Sequence, residues 1–243
     1  MIRRIVAVAL VCQIAAHVAA ESTSSPKEKS FDQRPLGISI SIKMVGPYME
    51  PADLQIICAF KHKPSGDTYQ GAATEFDKEV KGVFSALRNR GEFEGELGET
   101  ISFMPPKGTI PAKRVLVIGL GDESKLSLDT LRVVGRIAAR EAVRERARHV
   151  AFAPVIRDQG NSTIDVGQGD RAFVEQMLAA YDTEKRLQAQ RLADEFSIDT
   201  WIIEAGPAYF DGAVKEVGDG IQTANSSLSK RVSEPYAKGA EQK

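Results

Sequence analysis

Val115-Leu116-Val117-Ile118 is apolar without a break and runs straight into Gly119-Leu120-Gly121-Asp122. An extended segment that is apolar on both faces has to be covered on both faces. The architecture that does this is a largely parallel sheet held between two layers of helices. Leu54 to Phe60 (LQIICAF) has the same character. Shorter strands are predicted at Ile101–Met104, Val150–Ala153 and Thr200–Ile203. Ile38, Ile40, Ile42 and Met44 alternate with Ser39, Ser41 and Lys43, the period of a strand with one face toward solvent.

Helical periods lie between these strands. Phe76, Val80, Val83, Phe84 and Leu87 predict one helix of about four turns. Leu128, Leu131, Val134, Ala138 and Ala142 stripe a second, with Ser127 placed to cap it. Phe173, Val174, Met177, Leu178 and Tyr181 mark a third, after a long loop over 154–169 that is rich in Gly, Asn and Asp. Helical connections of this length between strands of one sheet are crossovers. The expected fold is therefore α/β, a three-layer sandwich around a mostly parallel central sheet. A last helical stretch, 213–232, carries Val214, Val217, Ile221, Ala224 and Leu228, and it leads out of the sheet to no further strand.

The two ends have a different character. Arg3 and Arg4 precede an apolar run from Ile5 to Ala16, and Val18 and Ala20 occupy the small-residue positions before Glu21. That order is expected of a signal peptide over 1–20, cleaved after Ala20, and the run is too short for a membrane span. The protein is then expected to be secreted or periplasmic, with no membrane attachment after cleavage. Residues 21–36 are polar with two prolines and read as a flexible lead-in. The domain is expected over 37–208, with a terminal helix and tail over 209–243. Losing the two arginines of the first segment leaves 30 basic against 33 acidic residues, which gives no general attraction to nucleic acid. Cys58 is then the one remaining cysteine, set in an apolar run as a buried hydrophobe.

Few side chains are spaced for chemistry. His17, His62 and His149 are too far apart to form a local ligand pair, and H-E-x-x-H, paired cysteines and G-x-S-x-G do not occur. No catalytic residue, metal ligand or cofactor is expected. The turn Gly119, Leu120, Gly121, Asp122 is the one candidate ligand-binding segment. Two glycines after a buried strand let backbone approach a phosphate, although Asp122 and Glu123 put negative charge at its mouth. Arg132, Arg136, Arg140 and Arg144 fall on one line of a helix, but Glu141 and Glu145 are spaced to pair along it, so a solvated face is expected. Asn161-Ser162-Thr163 and Asn225-Ser226-Ser227 are glycosylation sequons.

Arg114–Asp122, Leu128–Arg140 (LDTLRVVGRIAAR), the helix around Ala180-Tyr181 and Ile221–Pro235 (IQTANSSLSKRVSEP) together resemble the N-terminal domain of leucyl aminopeptidases. The last stretch is similar to the family's connecting helix, which ends in an Asn-Glu-Pro turn, with Ser233 here in place of the asparagine. The resemblance implies a macro-domain-like sandwich plus a C-terminal connecting helix. It carries over no active-site residue, because the family's two-metal site belongs to a second, catalytic domain. The segments N-T-D-A-E-G-R and D-S-G-G do not occur in these 243 residues.

The leading expectation is an exported, non-catalytic binding or accessory module. Its partner would be a protein, such as a separate aminopeptidase catalytic subunit, a peptide or a small ligand. A second expectation is a macro-type binder of a phosphorylated nucleotide such as ADP-ribose, using Gly119–Asp122 and the loop over 156–169, since ligands of open α/β sheets bind beyond the carboxyl ends of strands. The third is a peptidase by family label, without metal ligands of its own.

Overall fold

The computed structural model describes residues 26–236. The signal-peptide expectation over 1–20 lies outside the described residues. Seven strands form one sheet in the order β1-β2-β7-β6-β3-β5-β4. They are β1 (Glu28–Ser30), β2 (Ser39–Lys43), β3 (Leu54–Phe60), β4 (Thr100–Phe103), β5 (Val115–Gly121), β6 (His149–Ala153) and β7 (Thr200–Glu204). The central strands β2, β7, β6, β3 and β5 are parallel, and β1 and β4 close the two edges antiparallel. Their carboxyl ends therefore meet at one rim of the sheet.

The alternation of side chains along each strand feeds two cores. Ile56, Cys58, Leu116, Ile118, Phe152 and Trp201 face one layer, formed by α3 (Leu128–Arg144), α4 (Val166–Ala189) and α5 (Phe210–Leu228). Phe152 and Phe173 stack there with ring centres 3.8 Å apart. Ile57, Ala59, Val115 and Val117 face the other layer, where Phe76 of α1 (Gly71–Glu79) and Phe84 of α2 (Val83–Asn89) close over them. Both faces of β3 and β5 are buried, as their uninterrupted apolar runs require. The fold is a three-layer α/β sandwich. No described helix is long and apolar enough to cross a membrane.

Four local expectations need correcting. The single helix expected from Phe76 to Leu87 is two, because Lys81 and Gly82 take left-handed backbone angles (φ 59° and 73°) that turn the chain between Glu79 and Val83. Residues 28–30 of the supposed lead-in are held as an edge strand. Phe31 N–H donates to Ile40 O, and Lys27 pairs with Asp211. β2 is more enclosed than its alternation suggests, since β1 and β7 flank it and Ser41 is buried. Finally, the terminal helix is no appendage to 37–208. Phe210, Ala213, Val217, Ile221 and Ala224 of α5 are buried in the larger core, and Arg231 beyond it reaches Asp182 of α4.

Candidate functional site

At the rim, the carboxyl end of β5 is filled by the chain itself. Gly119 N–H donates to Glu99 O (2.8 Å) and Gly121 N–H to Gly95 O (2.9 Å). Their carbonyls accept from Gly98 N–H and Lys61 N–H. A Cβ on Gly119 would collide with the Glu96 carbonyl oxygen and sit 2.7 Å from the Gly95 carbonyl carbon. The glycines thus admit backbone, as the pattern suggests, but the backbone is that of 95–99. Leu120 is buried, and Asp122 turns outward to accept from the Ser124 hydroxyl and N–H, which hold its carboxyl below the usual range. No amide of Gly119 or Gly121 is left for a phosphate, which weighs against the ligand-binding expectation for Gly119, Leu120, Gly121 and Asp122.

The carboxyl ends of β2, β7 and β6 are different. They diverge into the segments 44–49, 205–209 and 154–158, and between these lies a cleft of about 740 Å³. The start of α1 and the first turns of α4 complete its walls. Part of the 156–169 loop, the other segment expected from the sequence, does line it: Ile156, Arg157, Asp158, Ile164, Val166 and Gly169. That loop is shorter than expected, since Asp165 caps α4 by accepting from Gln168 N–H. Apolar groups dominate the walls, among them Met44, Tyr48, Leu131, Ile156 and Tyr209.

Four carboxyl groups and one arginine supply the cleft's charge. Arg157 is spent on the protein, donating to the carbonyls of Asn161 (3.0 Å) and Ile164 (2.6 Å). Asp158 accepts from Ala73 N–H at the start of α1, and burial still raises its pKa. Glu75 is at the mouth and pairs with Lys78. Glu204, at the end of β7, accepts from Gln55 Nε2 through Oε2 (2.6 Å), while its buried Oε1 has no partner. Asp170, in α4, is 2% exposed and accepts no hydrogen bond within the described residues. Burial pushes both groups up to about 8, helped by Asp165 for Asp170 and by Glu50 for Glu204. Carboxyls buried in an apolar cleft without full compensation make it the candidate functional site.

Sequence reasoning missed Asp170 and Glu204. The available signal was a charged residue inside an otherwise apolar helical stripe, and another at the end of a buried strand. Elsewhere the remaining polar features are occupied. Arg132, Arg136, Arg140 and Arg144 meet Asp129, Gln176, Glu184 and Glu141. His62 and Tyr69 join buried Arg88 around Asp67, whose pKa falls to about 2. Cys58 is buried and its thiol pKa is raised. His149 bonds Thr200. Asn161 is buried with Oδ1 accepting from Thr163, which withdraws that acceptor side chain from solvent in the folded chain, whereas Asn225 is on the outside of α5 and donates to Gln33. Among the described residues no group of three or more His, Cys, Asp or Glu is placed to hold a metal ion.

Residues 56–188 match the profile of the N-terminal domain of the cytosol aminopeptidase family. The chain belongs to that family, through this domain. A probable cytosol aminopeptidase of Alkaliphilus oremlandii is 28% identical over 161 residues, covering 65% of this chain and 32% of the relative. The chain spans between 17% and 36% of the length of such relatives. A tomato leucine aminopeptidase mutant matches in structure at a TM-score of 0.59 and 17% identity, over 85% of this chain and 39% of that one. An Oceanobacillus iheyensis macrodomain with ADP matches at 0.60 and 9% identity, over 82% and 100%. At these identities the likeness is one of fold. This aminopeptidase-family N-terminal domain is macro-domain-like.

Proposed function

We propose that these 243 residues work as an exported binding module, without peptidase chemistry of their own, and that the cleft between β2, β7 and β6 takes a small ligand. The cleft carries this reading. Its size falls within the range of small-molecule sites, it is mostly apolar, and it opens at the carboxyl ends of parallel strands. Hydrolysis of a peptide bond with metal-activated water needs clustered ligands, and the matched part of the family is the N-terminal domain rather than the whole enzyme. The charge order at Arg3, Arg4 and Ile5–Ala16 supports export.

Protein recovered from its host supplies two tests. Its amino terminus should be Glu21, in the exported fraction, and intact Met1 in the cytoplasm would overturn export. With zinc or manganese added, it should release no leucine from a chromogenic leucine amide above the metal blank, and turnover would overturn the non-catalytic assignment. A phosphorylated nucleotide is the second reading, favoured by the position of the cleft and opposed by its charge. Calorimetry with ADP-ribose at about 1 mM decides it, since heat of binding there would place an anion in the site.

A further inference from the structure

We propose that the cleft selects a ligand bearing a cationic amine on an apolar body, with Asp170 as its counter-ion and Glu204 as a second acceptor elsewhere on the same lining. This rests on the reading of the cleft as a small-ligand site and names the chemical class that site takes.

The inference comes from the hydrogen-bonding capacity left over in the cleft. A buried polar group is nearly always satisfied, and each exception needs an explanation. Two carboxyls among the residues around this cleft have unused capacity: Oε1 of Glu204 is buried without a partner, and Asp170, 2% exposed, accepts no hydrogen bond within the described residues. The cations nearby are committed elsewhere. Arg157 is held by the carbonyls of Asn161 and Ile164. Lys43, the last residue of β2, pairs with Glu50 at 2.6 Å. What the cleft lacks is a donor and a positive charge, and a bound ammonium supplies both. The apolar walls formed by Met44, Tyr48, Leu131, Ile156 and Tyr209 suit an aliphatic or aromatic body behind that group.

The proton balance is explicit. In the free protein the Asp170 carboxyl is held with its proton, because burial opposes its charge and Asp165 adds negative potential, while Asp158, Glu75 and Glu204 are the other acidic groups of the cleft lining. When R–NH3+ enters, Asp170 gives up that proton to solvent and a carboxylate–ammonium pair remains. Uptake of the amine is therefore linked to release of about one proton at neutral pH. Affinity rises about tenfold per pH unit toward pH 8, where the free group titrates, then levels until the ligand's own amine deprotonates near about 10.

The full chain, with its first segment removed by the host as it is made, is titrated with phenethylamine, 2-phenylethanol and phenylacetate. These share one body and differ in charge. Calorimetry at about pH 6 and about pH 8, in two buffers of different ionisation heat, reads affinity and proton release together. The inference expects the amine to bind at least about tenfold more tightly than the alcohol, the acid to bind most weakly, and the preference to grow with pH. Asp170→Asn should abolish the preference and the proton release while the protein still melts cooperatively. Glu204→Gln should weaken the amine by less. Equal binding of amine and alcohol, stronger binding of phenylacetate, or a preference that survives Asp170→Asn would overturn the amine assignment while leaving the cleft a ligand site. Binding of none of the three at about 10 mM, together with no heat from ADP-ribose, would overturn both readings.

Discussion

Two stretches of the same rim have opposite fates. Beyond β5, Gly119 and Gly121 are pressed against the backbone of 95–99, and the amides of both glycines have partners within the chain. Beyond β2, β7 and β6 the connecting segments part, and two buried carboxyls face the gap without full partners. The comparison teaches what a glycine after a strand signals. It signals a close approach of some backbone or ligand, and only the rest of the fold says which. Here the neighbour is the loop that leads into the antiparallel edge strand β4.

The largest effect that would test this contrast belongs to Gly119→Ala. Its Cβ would have to displace the carbonyls of Gly95 and Glu96, which are backbone and cannot swing aside, so chemical denaturation should show a loss of about 3 kcal/mol or more. A loss below about 1 kcal/mol would mean that the rim beyond β5 is open after all. Next comes the pH dependence of the open side. Asp170 and Glu204 have folded values near 8, raised above the roughly 4 of an unfolded carboxyl, so the native state holds protons that the unfolded state gives up. Stability from these groups is greatest below about pH 4 and declines as pH rises toward about 8. Asp170→Asn should flatten part of that decline and leave the variant more stable than the parent near pH 8. A parent-like slope in thermal melts would contradict the assignment. The smallest effect is expected at Gly206, also just beyond a strand end but on the open side. A Cβ there meets only the Tyr209 ring, at 3.7 Å, so Gly206→Ala should change stability by no more than about 0.5 kcal/mol in the same denaturation series.

The layer structure was legible because apolar runs on both faces of β3 and β5 have one physical solution, burial between helices. The stripes of α3, α4 and α5 fixed which helices supply it. Less legible was the break between α1 and α2, where the apolar spacing continues through Lys81 and Gly82 although the backbone does not. A three-residue strand at 28–30 also leaves no periodic trace, since its place is set by β2 and by α5 far along the chain. The site was half legible. The rule that ligands gather beyond strand ends pointed to 156–169, and part of that segment lines the cleft. It could not separate the filled end of β5 from the open ends of β2, β7 and β6, because that depends on how loops far apart in sequence pack. Asp170 and Glu204 become conspicuous only when burial and missing partners are known.

The contrast between the two stretches of rim is measured most directly by amide chemical shifts of the isotope-labelled protein during titration with phenethylamine. The account predicts saturable shifts at Asp170, Ala205, Gly206 and Tyr209, with Gly119, Leu120, Gly121 and Asp122 unmoved. Shifts confined to Gly119–Asp122, with the cleft residues silent, would contradict it.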